Sequence, residues 1–439
     1  MTARRLLAPV ANYQAVLFLT VLVALALRMI IRFALGEDFF WSNSYSVYYW
    51  LATEYAEQRA VCKSTMEAIE VVGRSCGYLP PLYSLFLTLV SSAGMGYKPI
   101  VASQAIISTG TVAVAYLVSR RLFDNTTAIL TGVLVCVYPY YVLHDTALQE
   151  TGVFTFLVTL SMLLLMSVRH SNSGFAGVLT GVVLGLAVLV RTTLLLFVPL
   201  AFGWLLYSIP HALRNRLRIL SWLALSFGFT ISPWLVRSQV AVGGPLMNNH
   251  AGVYLWLTNN PLTFSHYPQE SMDLSSIEAW NSLTSGELQE IDTLSSENGW
   301  QLEGWFARKA IEYIAANPAL FVRAVALKVW TAFSWVLNPR KGGIFQTIYF
   351  FSYSPILVLG LLGVLETRHR WKEFGLIYML FISFLLVVAV FFAHTSHRTH
   401  LDIFLIIFSA HSIRTMHARR ARWLHRVRLL FQRRSANMC

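Results

Sequence analysis

The chain is 439 residues long, 56% hydrophobic and only 13% charged, where soluble globular domains carry about 25% charged residues. Its formal net charge of +13 does not mark a nucleic-acid binder, because the cations collect at Arg4-Arg5, Arg120-Arg121, Arg214 to Arg218, Arg368 to Lys372 and Arg414 to Arg434. These are short segments between or beyond apolar runs, as positive-inside bias produces, so composition excludes nucleic acid as a partner and predicts an all-α polytopic membrane protein.

Basic Arg4-Arg5 precede a first apolar run at about 13–33, which sets the N-terminus on the cytoplasmic side. That run is too long for a cleavable signal, and no small-residue cleavage site follows it. A large extracytoplasmic loop, about 36–97, comes next; it ends in a short apolar piece, Pro80 to Gly96, read as re-entrant or interfacial so that Arg120-Arg121 stay inside. Spans of about the length a bilayer needs follow at about 99–119, 125–143, 147–168, 174–190, 193–209 and 218–236. The second extracytoplasmic loop, about 237–343, is polar and holds the amphipathic stretch GWQLEGWFARKAIEYIAANP. Within it 319–337 carries Arg323 and Lys328 and is expected to lie along the membrane surface. Spans at about 344–364, 373–393 and 400–415 complete a count of ten, with both ends inside. The membrane domain is thus 1–418, and the basic tail 419–439 is cytoplasmic, part of a stretch suited to anionic lipid. Of four cysteines, Cys62 and Cys76 share the first loop; if that loop is oxidised they pair, closing fifteen residues for about 3 kcal/mol in the chain-entropy model.

Several stretches carry a resemblance. They are YLPPLYSLFL, SQAIISTGTVAVAYLVSRRLF, VYPYYVLHDTALQETGVFTFL with Glu150, and GLAVLVRTTLLLFVPLA with Arg191. They continue as SPWLVRSQVAVGGP, NNHAGVYLWLTNNP, FARKAIEYIAANPALFVRAVALKVW and HRTHLDIFLIIFSA with Arg398. In this order, over most of the chain, they resemble the C-type, polyprenyl-phosphate-sugar-dependent glycosyltransferases. The nearest likeness is to bacterial relatives of the dolichyl-phosphate-mannose protein mannosyltransferases and of the lipid A aminoarabinose transferase. The resemblance implies transfer of a hexosyl or pentosyl group from a polyprenyl-phosphate sugar to a glycan, lipid or protein acceptor. It also implies inversion, and a site on the extracytoplasmic side of the plasma (inner) membrane. Such a reaction needs a carboxylate for the acceptor's proton, cations for the departing phosphate and a groove for the prenyl tail.

The sequence departs from the family at the base. The family's loop Asp stands four residues before a Tyr, and SYSVYYWLA aligns Tyr48 and Ala52 but puts Ser44 in the acid's place. Either Asp38 serves through a shifted loop, or Asp145 or Glu150 does, or the chain is a silent relative or a flippase for lipid-linked glycans. Asp145 reads as a capping acid at a helix start. Glu150 lies a turn further in, where an acid carried into hydrocarbon is costly, and is expected to face a polar cavity. Arg237, Lys328 and Arg398 are the phosphate candidates, with Arg28 and Arg32 weaker ones, and Tyr48 and Tyr83 join them as substrate-binding candidates. Arg191 reads as marking a short turn. His394, His397 and His400 have metal-like spacing but fall where the family has a basic motif around Arg398, so no metal ligand is assigned and a divalent cation stays open as a cofactor.

Overall fold

The computed structural model describes residues 8–43, 45–56, 79–92, 96–171, 173–245, 247–248, 250–270, 272–297, 299–391 and 394–436. Among them every regular element is helical. Cys62, Cys76 and Ser44 lie outside the described residues.

Helix α1 (Ala8–Ser42) is interrupted at Gly36, whose φ of 81° is open to glycine alone at little cost. Three helices follow: α2 (Ser46–Ala56), α3 (Pro81–Ser92) and α4 (Tyr97–Leu122). Asp124 then caps α5 (Asn125–Val137), accepting from the backbone N–H groups of Thr126 and Thr127 at 3.0 and 3.1 Å, a contact worth about 1 kcal/mol. Pro139 stops α5 and opens the short α6 (Pro139–His144) at a position where its missing N–H costs nothing. Next come α7 (Thr151–Val168), α8 (Gly174–Val190), a 3-10 turn at Thr192–Leu196, α9 (Phe197–Ser208) and α10 (Leu213–Val242). The intervening loop region folds as α11 (Ala251–Leu257), α12 (Met272–Asn281), α13 (Ser285–Glu297) and α14 (Gly299–Ala316). Last are α15 (Pro318–Phe333), α16 (Gly343–Glu366), α17 (Trp371–Val390), a 3-10 turn at Thr395–Arg398 and α18 (Thr399–Ala436).

Six of these helices, in α1, α4, α7, α10, α16 and α17, are long and apolar enough to cross a bilayer, seven if α14 and α15 are taken as one broken span. The all-helical, multi-span class is therefore borne out, while the expected ten spans are not all there as single helices. The stretch 125–143 breaks at Pro139 into pieces of 13 and 6 residues, and α8 and α9 have 17 and 12 residues. The first turns of α18, from Leu401 to Phe408, are enclosed by other helices instead of facing lipid. Helices α14 and α15 meet at 108°, and Lys328, expected at the surface, is buried.

Between lipid-immersed helices the tails compete as well as any side chain, so cohesion rests on close packing and interhelical hydrogen bonds. The α16–α18 contact shows both. A Cβ at Gly363 would sit 2.3 Å from the Phe408 carbonyl oxygen. Beside it, the hydroxyls of Ser409 and Ser412 donate to the carbonyls of Ile356 and Leu359 at 2.8 and 3.0 Å.

Candidate active site

The turn from Asp145 to Glu150 is held from three sides. Arg28 of α1 reaches Asp145 at 3.3 Å. Arg32, one turn on, donates from Nε to Thr146 at 3.0 Å and from Nη2 to the Leu143 carbonyl at 2.5 Å. From α4, Gln104 donates to the carbonyls of Asp145 and Ala147 at 3.2 and 2.6 Å, and its own amide oxygen accepts from Tyr83 of α3 at 2.5 Å. Gly152 permits the fit, since a Cβ there would stand 3.0 Å from the Asp145 Cα. Asp145 is therefore not a cap opening a helix. It sits at the C-terminal end of α6, with carboxylate oxygen Oδ2 paired to Arg28.

This scaffold points Glu150 elsewhere. Glu150 occupies the N-cap position of α7 but makes no side-chain cap. Its Oε1 accepts from Arg191 Nε at 3.1 Å and from Nη2 in a still shorter contact, and Tyr48 lines the same space. Arg191 can do this because α8 ends there in an extended residue, φ −149° and ψ 116°, before the 3-10 turn. Its Nη1 also donates to the His397 carbonyl at 3.4 Å, and its guanidinium covers the Phe154 ring at 5.0 Å. Burial and the Glu150 charge push the hydroxyl of Tyr48 well above its ordinary range, and act likewise on Tyr83.

Glu150, Arg191 and Tyr48 line a cavity of about 1040 Å³. Arg32, Lys341, His144, His397 and the pair Asp273–His394 contribute to the same lining. Arg32 is 2% exposed and its Nη1 has no hydrogen-bond partner, so a buried donor is available at the wall. His144 lies between the Gln149 side chain, 2.6 Å from its Nδ1, and the Tyr140 ring at 4.1 Å. Desolvation first, then the charges of Arg32 and Lys341, hold its pKa down to about 4. Burial, followed by Arg191, holds His397 low as well. A different chemistry lines the flank formed by the 3-10 turn, α9 and α17, where Leu195, Leu196, Leu386 and Val390 are accessible apolar side chains of the cavity lining. One wall of the cavity is therefore apolar and belongs in part to the candidate span α17.

The other predicted residues fall away from this space. Asp38 is exposed beyond the Gly36 break and is not part of the lining. Arg237 lies 4.8 Å over the Trp234 ring and does not reach the cavity either. Lys328 is fully buried, donating to Asn259 Oδ1 at 2.9 Å and to the Val390 carbonyl at 3.0 Å, where it neutralises the C-terminal end of α17. Arg398 is sealed: it pairs with Asp402 at 3.0 Å, donates to the Ala332 carbonyl at 2.7 Å and to Tyr349 at 2.6 Å, and stacks 3.6 Å over Tyr353. Tyr83 is buried behind Tyr48, with ring centroids 4.9 Å apart. Among the described residues no three His, Cys, Asp or Glu groups are placed to share a metal ion, and His400 turns away to Phe154 and Phe384.

Two residues of weight escaped the sequence reading. Arg191 is the only Asp, Glu, Lys or Arg between Arg169 and Arg214, and a lone charge in so apolar a stretch is a functional candidate by default. Asp273 had no local signal, since nothing in a polar loop distinguishes one acid that reaches a cavity from those that do not.

Residues 79–236 match the family model for dolichyl-phosphate-mannose-protein mannosyltransferase, which bears out the resemblance read in the sequence. None of the curated proteins is significantly similar to the chain. Among solved structures, the archaeal oligosaccharyltransferase AglB from Archaeoglobus fulgidus, in complex with an inhibitory peptide and a dolichol-phosphate, aligns with TM-score 0.56 at 13% identity, over 95% of this chain and 51% of its own. The same organism's oligosaccharyltransferase tethered to an acceptor peptide gives 0.54 at 12%, over 92% and 49%. The chain thus spans about half the length of these relatives, and the likeness is one of fold. ArnT from Cupriavidus metallidurans bound to undecaprenyl phosphate is also matched, at 13% identity over 92% of this chain and 78% of its own, with a TM-score of only 0.33.

Proposed function

We propose, from the match of residues 79–236 to the model for dolichyl-phosphate-mannose-protein mannosyltransferase, that the chain transfers a sugar from a polyprenyl phosphate to an acceptor bound in the cavity. One observation carries this reading: a single space joins the guanidinium groups of Arg191 and the buried Arg32 to an apolar wall that includes part of the candidate span α17. An amphiphile with a phosphate head and a prenyl tail has that pattern. The unpartnered Arg32 Nη1, Lys341 and Arg191 supply charge for the leaving phosphate, a type of stabilisation worth orders of magnitude in rate. Glu150 and Tyr48 offer acceptor oxygens and a hydroxyl to a sugar or acceptor. Displacement of the phosphate in one step inverts the anomeric carbon, and a glycan, lipid or protein hydroxyl serves as nucleophile. The site is taken to face the extracytoplasmic side, in a chain whose ten spans include the short apolar helices α5, α8 and α9 and the start of α18. Of the three acids weighed as base, Asp38 and Asp145 lose their motivation, because neither lines the cavity.

A second reading is favoured by the Glu150–Arg191 pair itself, which leaves that carboxylate already engaged: a relative that holds a lipid-linked sugar without transferring it. Purified protein incubated with labelled polyprenyl-phosphate sugars separates the two. Transfer of label with release of polyprenyl phosphate is expected; saturable binding with no transfer would favour the second reading.

A further inference from the structure

Among the described residues, the lining of the cavity contains two carboxylates, Glu150 and Asp273. They are in different states. Glu150 is 13% exposed at its side chain and takes two bonds from Arg191. Both Arg191 bonds fall on Oε1, so this carboxylate is held in place as the partner of a cation. Asp273 is 53% exposed at its side chain and stands in the first turn of α12. Its Oδ1 is 3.1 Å from Nε2 of His394, whose side chain is only 14% exposed. The two come from distant parts of the sequence, Asp273 from the loop region and His394 from the connection between α17 and α18. Their meeting at the cavity wall is thus a product of the fold. Around them, the His394 ring lies 5.3 Å from that of His397, whose carbonyl accepts from Arg191. The pair is therefore joined through His397 to the Arg191–Glu150 contact.

An imidazole oriented by a carboxylate on one nitrogen, at the wall of a site, is an arrangement suited to general-base work. We propose that His394 accepts the proton of the acceptor hydroxyl and that Asp273 is its positioning residue. This rests on the transfer reading above and supplies the base that Ser44 and the placement of Asp38 leave unassigned. The acceptor oxygen forms its bond to the anomeric carbon as the bond from that carbon to the phosphate oxygen breaks. The electron pair leaves with the polyprenyl phosphate, and the hydroxyl proton moves to His394 Nδ1. The Asp273 carboxylate, whose Oδ1 lies 3.1 Å from Nε2, steadies the imidazolium that forms.

The test compares wild type, His394→Gln, Asp273→Asn and the double variant, with the labelled donor and an acceptor that the wild type uses. His394→Gln should lower turnover about 10²-fold, the scale of a lost general base, and Asp273→Asn by a smaller factor. Neither should alter the donor KM or the binding of free polyprenyl phosphate, which also reports that the variants are folded. Because the pair acts as a unit, the double variant should be no slower than His394→Gln alone. Added imidazole should restore part of the turnover of His394→Ala, which a merely structural histidine would not allow. Wild-type turnover in His394→Gln would overturn the assignment and leave the transfer reading standing, as would independent multiplying losses with no imidazole rescue. A wild-type protein that binds polyprenyl phosphate yet transfers none of the sugars offered would remove both.

Discussion

Two arginine–carboxylate pairs, built from the same chemical groups, divide the molecule into a part that holds and a part that acts. Arg398 and Asp402 are each 0% exposed, one turn apart at the start of α18, with the guanidinium further bonded to Ala332 and Tyr349 and stacked on Tyr353. Arg191 and Glu150 are 11% and 13% exposed, come from different helices and front a cavity. The difference is which donors and acceptors remain to be used. In the first pair the protein supplies partners on every side; in the second one face is left for a ligand. A charge in a membrane protein is commonly read as functional, yet here the most deeply buried charges are the ones that tie helices together.

The largest expected effect tests the first pair. Arg398→Ala leaves Asp402 charged and without its partner in an enclosed core, a change that costs about 3–5 kcal/mol when a buried pair is broken. The expected outcome is loss of a monodisperse, detergent-solubilised protein, read by size-exclusion and by thermal unfolding. A stable Arg398→Ala protein with normal unfolding and a selective loss of donor affinity would undo the comparison and return Arg398 to the phosphate site.

Next in size is the pair at the cavity. Arg191→Ala should leave unfolding nearly where it was, while lowering turnover about 10²-fold or more, the scale of removing one preorganised charge stabiliser. Glu150→Gln keeps the shape but drops the charge, so its loss should appear mainly in acceptor KM. Measuring kcat and KM for both substrates in the two variants checks the division. An equal fall in thermal stability for Arg191→Ala and Arg398→Ala would mean that the two pairs do the same job.

How far the sequence alone could lead follows from the same contrast. The helical class, the span positions of α1, α4, α7, α10, α16 and α17 and the facing of Glu150 toward a cavity were legible, because apolar run length and an out-of-place acid are local signals. The division of 125–143 at Pro139 was locally visible too, but its consequence was not, since a helix too short to span can still be part of a bundle. Arg398 and Lys328 were misplaced for one reason: position near a span end suggests headgroups, while the buried partners Asp402, Tyr349 and Asn259 are brought in by tertiary packing. Asp273 and His394 lie more than a hundred residues apart in the chain, and no periodicity relates them.

His144 offers a smaller effect, with a sign. It lines the cavity, and its pKa is held down to about 4 by burial, with Arg32 and Lys341 adding to it. The folded protein thus binds this proton less readily than the unfolded chain, whose histidine titrates near 6.5. Stability from this site is full above the unfolded pKa and declines as pH falls from about 6.5 toward 4. His144→Gln, which can still hydrogen-bond Gln149, should narrow the gap between melting temperatures measured at pH 7 and pH 5. An unchanged gap would mean that other groups carry the acid sensitivity. No charge change at His144 is expected between pH 6 and 8, so the pH profile of turnover over that interval should be the same in the variant.

The smallest expected effect is at Asp38, and it separates the sequence-based expectation from the structure most cleanly. A base must come within hydrogen-bond reach of the proton it removes, directly or through one water. Gly36 turns the end of α1 so that Asp38 is exposed, whereas Phe39 and Asn43 from the same segment line the cavity. Its neighbour Glu37 is likewise occupied outside, accepting from Trp41 at 3.1 Å. Asp38→Asn should therefore change turnover by less than about two-fold, in keeping with the ±0.5 kcal/mol typical of surface substitutions. If instead turnover fell to the level of the His394→Gln variant with donor binding intact, the segment after Gly36 would have to swing Asp38 inward when substrate binds. The base would then belong to the first loop, as the family pattern implies.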